Sequence, residues 1–173
     1  MAVSPKPRLL PLGLAVLCCW LSSCSGLITN TVIQPAIGNL QQQTDIELVC
    51  EGAPAYLLML DSMLVSSPDS RKLLLFATQS YSAYAAALSE CDTPQEARIT
   101  KIADKAHDYG LRLLGHHLPV KSGEDTGGLE EKLADLSAGD VAEVFWGTYG
   151  WLTWVASQKG SPASIADIVP IKK

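Results

Sequence analysis

Cysteine, histidine, serine and aspartate are the side chains of this chain whose spacing could support chemistry, and Cys24 is the most sharply placed of them. It follows Leu21-Ser22-Ser23 at the end of an apolar run that begins at Leu9, with Lys6 and Arg8 ahead of that run. A basic tip, a short apolar run and small residues before a cut make a secretory signal. Small residues directly before a cysteine resemble the bacterial lipobox, where the thiol is acylated and the cysteine becomes residue one. Cys24 is therefore the expected lipid attachment site; the other reading is an ordinary signal cut near Ser25-Gly26. Cys18 and Cys19 are worse placed, because Leu17 and Cys18 would fall where a small residue is needed. About 12 apolar residues reach only about 18 Å, against a hydrocarbon core of ~30 Å. The run is read as a leader and not as a span, and no other segment is read as one.

Beyond Cys24 only Cys50 and Cys91 remain. Cys50 lies near the start of one predicted helix and Cys91 just past the end of the next. In an antiparallel hairpin those ends are neighbours, so a disulfide and a pair of separate buried thiols are both open. His107, His116 and His117 invite a metal. Adjacent histidines on a helix point about 100° apart and cannot both face one ion unaided, so His116-His117 reads as a solvated pair at a helix end, where imidazolium favours the dipole. No serine sits in a G-x-S-x-G or S-x-x-K pattern. Asp61, Asp104 and Asp108 read as solvated or capping charges. No catalytic residue, metal or cofactor is expected, and the chain is not read as an enzyme.

Charge narrows the partners. Of the 13 basic residues, Lys6 and Arg8 precede Cys24, whereas all 18 acidic residues follow it, which leaves 11 basic against 18 acidic. That balance argues against nucleic acid and against adhesion to anionic lipid through a basic patch.

The elements that must position these groups read as helices. Residues 1–23 are the expected signal peptide, 24–44 a polar tether and 45–173 a helical domain. Val49, Ala53, Tyr56, Leu60 and Met63 step by three and four, the spacing of one buried helical face. Ser66-Ser67-Pro68-Asp69 ends that helix. Leu74, Ala77, Tyr81, Tyr84 and Leu88 predict a second. Thr93-Pro94-Gln95-Glu96 is a capping box that opens a third, striped by Ile99, Ile102, Ala106, Tyr109 and Leu113. A glycine-rich loop from His116 to Gly128 precedes a short amphipathic piece over 129–136. Ser137 with Asp140 caps the last strong helix, whose predicted buried face is Val141, Val144, Thr148, Trp151 and Val155, widened by Phe145, Trp146 and Leu152. Ser161-Pro162 starts one more short turn. No segment alternates with period two, so the fold class is all-α.

These helices read as pairs. Trp146, Tyr149 and Gly150 fall at the W-x-x-L-G spacing that opens a tetratricopeptide repeat. Trp146, Tyr149, Trp151 and Trp154 spread around most of their helix, so one stripe cannot bury them all. With Tyr84, the residues Trp146, Tyr149 and Trp151 are the candidates for a groove or an interface, where aromatic rings join an apolar body to one polar handle.

The run Glu51-Gly52-Ala53-Pro54-Ala55-Tyr56, then Leu60-Asp61-Ser62, Ser67-Pro68-Asp69 and Tyr81-Ser82-Ala83-Tyr84-Ala85, resembles the T component of TRAP transporters, the TatT family of periplasmic lipoproteins. Lys105 to Leu114 and Asp140 to Trp151 continue the resemblance downstream. It implies stacked, tetratricopeptide-like helical hairpins in a lipid-anchored protein facing the periplasm. It further implies association with the solute-binding component of a TRAP transporter, a trimeric assembly with a pore or cleft, and a hydrophobic small ligand. Relative to that family the chain looks shortened after Ile171-Lys172-Lys173, which bears on trimerisation and on a complete cleft. The alternative function is a general tetratricopeptide-like envelope adaptor without a small ligand. Ser25 after the acylated cysteine, where an aspartate would favour retention at the inner membrane, favours the outer membrane.

Overall fold

The computed structural model describes residues 31, 34–92, 96–118, 120 and 128–172, and these hold seven helices and no strand. The expected signal peptide, Cys24 and the expected capping residues Thr93 and Pro94 lie outside the described residues. The chain divides into two compact units between Gly38 and Asn39. In the first, residue 31 and the opening residues of α1, Gln34–Gln42, are described. The stretch expected as a tether is therefore helical over 34–42.

The second unit is built on α2 (Ile46–Ser66), α3 (Arg71–Ala87) and α4 (Glu96–Leu114), followed by the short α5 (Leu129–Ala134), then α6 (Val141–Ser157) and α7 (Pro162–Ile171). Asp45 caps α2 by accepting from the Leu48 amide at 3.1 Å, and Glu47 adds a negative charge to the positive first turn. Pro54 sits inside α2 and has no N–H to give to the Cys50 carbonyl four residues back. That carbonyl accepts instead from Tyr84 Oη at 3.1 Å. A gap in the helix ladder thus becomes a link between α2 and α3. Pro68 and Asp69 turn the chain, and Ser70 caps α3.

α3 is the central helix. Its Leu74, Ala77, Tyr81 and Tyr84 are buried as the stripe predicts, and Thr78, Ser80 and Ser82 are buried on its other sides. It packs against α2, α4 and α6. On α2 the buried face is Val49, Ala53, Leu57, Leu60 and Leu64; Tyr56 and Met63, expected in that stripe, are only half-buried. The opposite face of α2 exposes Leu48, Leu58 and Val65. Apolar on both faces, α2 has mean hydropathy 1.5 and is long and apolar enough to cross a membrane by length and composition. This corrects the reading that no segment beyond the leader qualifies. Its inner face packs on α3, and 28% of its apolar stretch is buried.

The largest correction falls on α6. Its buried residues are Gly147, Gly150 and Trp151, while Val144, Trp146, Thr148 and Val155 are half-buried and Val141, Phe145 and Leu152 are exposed. Glycine is the reason. A Cβ on Gly150 would lie 2.5 Å from the Ala106 carbonyl oxygen and 2.6 Å from Thr78 Cγ2, and one on Gly110 would lie 2.7 Å from the Gly147 oxygen. α4 and α6 cross backbone to backbone, so the most buried face of α6 is the one with almost no side chains. The expected cap is also reshaped. Asp140 Oδ2 accepts from the Ser137 amide at 3.0 Å and its hydroxyl at 2.6 Å, so the serine bonds the aspartate's carboxylate in place of its amide. The short turn expected at Ser161-Pro162 is a ten-residue helix. Leu114 at the end of α4, Leu118 just past it, Leu129 of α5 and Trp151 of α6 form a further apolar cluster.

Candidate functional site

Beyond the glycine crossing, towards the start of α4 and the end of α6, small side chains leave a groove among α3, α4 and α6. Ala85, Ala86, Ala103 and Ala156 line it with Ser82, Ile99, Leu152, Thr153, Ser157 and the ring of Tyr149. Its volume is about 370 Å³, within the range of small-molecule pockets. No lining residue is charged. The sequence shows why space remains here. On this face α4 offers Ala103 and α3 offers Ala85 and Ala86, too short to fill the space that Ile99, Tyr149 and Leu152 border.

The groove opens onto an exposed stripe. Val141, Phe145, Tyr149 and Leu152 stand on the outer side of α6 at spacings of three and four, each at least 40% exposed. Phe145 stacks on Tyr149 with centroids 6.1 Å apart, and the Trp146 ring meets both edge-on at 5.2 and 5.4 Å. Tyr149 and Leu152 belong to both the stripe and the groove.

The candidates nominated from sequence separate. Tyr149 stands on the groove rim, and Trp146 is half-buried beneath the stripe. Trp151 is an interior residue: 2% exposed, it donates its indole N–H to the buried Asp167 carboxylate at 2.9 Å and so fastens α7 to α6. Tyr84, 1% exposed, serves the α2–α3 link. Cys50 and Cys91 are joined in the structure as a disulfide, with Cα atoms 6.2 Å apart. Beside that bond lies a more polar hollow of about 400 Å³ that includes Glu47, Glu51, Asp92 and Arg98.

Charged groups expected to be solvated are engaged. His117 has a side chain only 8% exposed, which overturns its reading as a solvated residue; His116 does stand exposed. His117 Nε2 lies 2.8 Å from Glu143 and 3.2 Å from Arg71 Nη2, and Nδ1 lies 3.4 Å from Asp140. Arg71 also pairs with Glu143 at 2.7 Å. Burial pushes the Glu143 carboxyl up, but the hydrogen bonds from Arg71 and His117 outweigh it, and the net direction is down. This network ties the start of α3 and the end of α4 to the start of α6. Asp61 accepts from Tyr109 Oη at 2.5 Å and pairs with Lys105 at 3.4 Å, and Asp104 accepts from the Trp154 indole at 3.0 Å. Burial, then the Asp61 carboxylate, pushes the Tyr109 and Tyr81 phenols up, so both stay neutral donors. Among the described residues no three His, Cys, Asp or Glu side chains gather to hold a metal ion. The arrangement is an uncharged groove with an apolar, aromatic rim.

Residues 42–173 match the family model described as TRAP transporter T-component. No curated protein and no solved structure matches the chain.

Proposed function

This chain belongs to the TRAP transporter T-component family and is an accessory component of such a transport system at the cell envelope, and we propose that it docks the solute-binding component through the outer face of α6 and holds an apolar small ligand in the groove beside it. The observation that carries this reading is the continuity of stripe and groove through Tyr149 and Leu152. Contiguous exposed apolar and aromatic residues mark protein-binding surfaces on soluble chains. A ligand in the groove would meet whatever covers the stripe.

The same reading makes residues 1–23 a signal peptide, Cys24 the acylated anchor and 24–44 the link to a periplasmic domain at the outer membrane. A trimer would set several such faces side by side. The role is binding and transfer, with no chemistry. The competing reading, a general envelope adaptor, needs the stripe but no ligand; native mass spectrometry discriminates, because it predicts no co-purifying apolar molecule.

The docking face is tested by titrating the TRAP solute-binding component with wild type, Phe145→Asp and Val65→Asp. Val65 is 83% exposed on α2, away from the stripe, and serves as the control. Burying a new carboxylate in an interface costs at least about 1.4 kcal/mol, so Phe145→Asp is expected to weaken binding tenfold or more. Val65→Asp is expected to bind as wild type does. Equal binding by both variants removes the docking assignment.

A further inference from the structure

The groove contains one buried polar atom that the fold leaves unused. Ser82 is 1% exposed, lines the groove, and its Oγ has no hydrogen-bond partner among the described residues. Its neighbours behave differently. Thr153 Oγ1 turns back to the Tyr149 carbonyl at 2.8 Å, and Ser157 Oγ to that of Trp154 at 2.8 Å. One turn earlier on α3, Thr78 Oγ1 bonds the Leu74 carbonyl at 2.8 Å. Hydroxyls on helices satisfy themselves in this way when nothing else is offered. A buried hydroxyl without a partner carries an uncompensated desolvation cost, and such groups call for an explanation.

We propose that Ser82 is the head-group contact of the groove, and that the ligand is an apolar molecule with one neutral hydrogen-bonding head: an alcohol, ketone or ester. This rests on the groove being a ligand site and specifies what it selects. The serine hydroxyl donates and accepts, so it suits any of these heads. An ionised carboxylate or ammonium is a poor fit, because no charged residue lines the groove to offset its desolvation. At about 30 Å³ per small group, the volume that water occupies in the liquid, 370 Å³ admits about a dozen heavy atoms.

The test compares 1-nonanol with n-decane, which match in heavy-atom count and differ only at the head, by headspace partition into solutions of wild type, Ser82→Ala and Ala86→Trp. Ser82→Ala is expected to lower affinity for 1-nonanol about fivefold to thirtyfold while leaving n-decane unchanged. Without ligand it should melt no lower than wild type, since the change deletes a hydroxyl that has no partner. Ala86→Trp, at an exposed lining position, should fill the groove and weaken both probes. Unchanged 1-nonanol binding by Ser82→Ala overturns the head-group contact and leaves the groove reading standing. An equal loss of both probes in Ser82→Ala also overturns it, because a head-group contact cannot act on an alkane. If wild type binds neither probe, or Ala86→Trp binds both as wild type does, the groove reading fails and the contact falls with it.

Discussion

His107 sits where a charge is unwelcome. Its ring stacks on Trp154 with centroids 4.7 Å apart and lies 6.0 Å from Trp151. Burial pushes its pKa below the ordinary 6.5; Asp167, Asp104 and Asp108 pull the other way without cancelling that effect. A group whose folded pKa is depressed contributes stability above its unfolded pKa and loses it as pH falls from that value through the folded one. Urea unfolding is therefore expected to show wild type weakening as pH drops from about 7.5 to about 5.5, a window set by the ordinary imidazole value. His107→Phe keeps a stacking ring and should flatten that decline; equal slopes for the two proteins reject the assignment. A second residue-scale prediction concerns the Cys50 carbonyl that Pro54 leaves open and Tyr84 fills. Tyr84→Phe should cost about 1 to 2 kcal/mol in the native sequence. In a Pro54→Ala background, where the helix amide returns to that carbonyl, the cost should shrink, and chemical denaturation of the four proteins closes the cycle. Additive losses would show that the two residues act separately. Neither arrangement could be read from the sequence beforehand, because each joins residues far apart along the chain; His117 likewise meets Glu143 and Arg71 across separations of 26 and 46 residues.

At the scale of elements, helix existence and most apolar faces could be read from spacing. α3 shows this best, because its side chains are large enough for a period of three and four to declare which face is inside. α6 misled for the opposite reason. A glycine scores as weakly helical and faceless, yet Gly147 and Gly150 define the contact with α4. The groove was unreadable on the same grounds, since it exists where alanines fail to fill space. Paired substitutions separate the two kinds of glycine. Gly150→Ala must push its new methyl against the Ala106 carbonyl and Thr78, and should cost about 3 kcal/mol or more as α4 and α6 separate. A methyl added at Gly52 on α2 would have nothing within 4 Å, so Gly52→Ala should stabilise by about 0.5 to 1 kcal/mol through lower unfolded-state entropy. Thermal melts of the two variants should shift in opposite directions; a shared direction would mean that the crossing is looser than the distances indicate.

For the whole molecule, on the proposed reading, three cysteines divide the labour between anchoring and stability. Cys50 and Cys91 close a loop across 41 residues at the end of the α2–α3 hairpin opposite the Ser67–Ser70 turn. By chain entropy such a closure stabilises by roughly 4 kcal/mol, less any native strain. The sequence allowed this pairing without requiring it, since helix polarity brings the two ends together but does not aim the sulfurs. Cys24 is the third, and its expected chemistry is acylation after removal of residues 1–23. One measurement addresses both assignments: the intact mass of protein extracted in detergent, with and without reductant before alkylation. The expected species begins at Cys24, carries lipid there, and takes up alkylating agent at two positions only after reduction. Substituting Cys24→Ala should leave the full leader attached, abolish the lipid mass and leave the reduction-dependent alkylation intact. Substituting both Cys50 and Cys91 by alanine should spare the lipid and lower the denaturation midpoint. Alkylation of two cysteines without reductant would break the hairpin assignment alone, and an unlipidated chain beginning near Ser25-Gly26 would break the anchor alone. The two roles then stand or fall separately, as expected of an anchor that sets where the helices work and a crosslink that keeps them folded there.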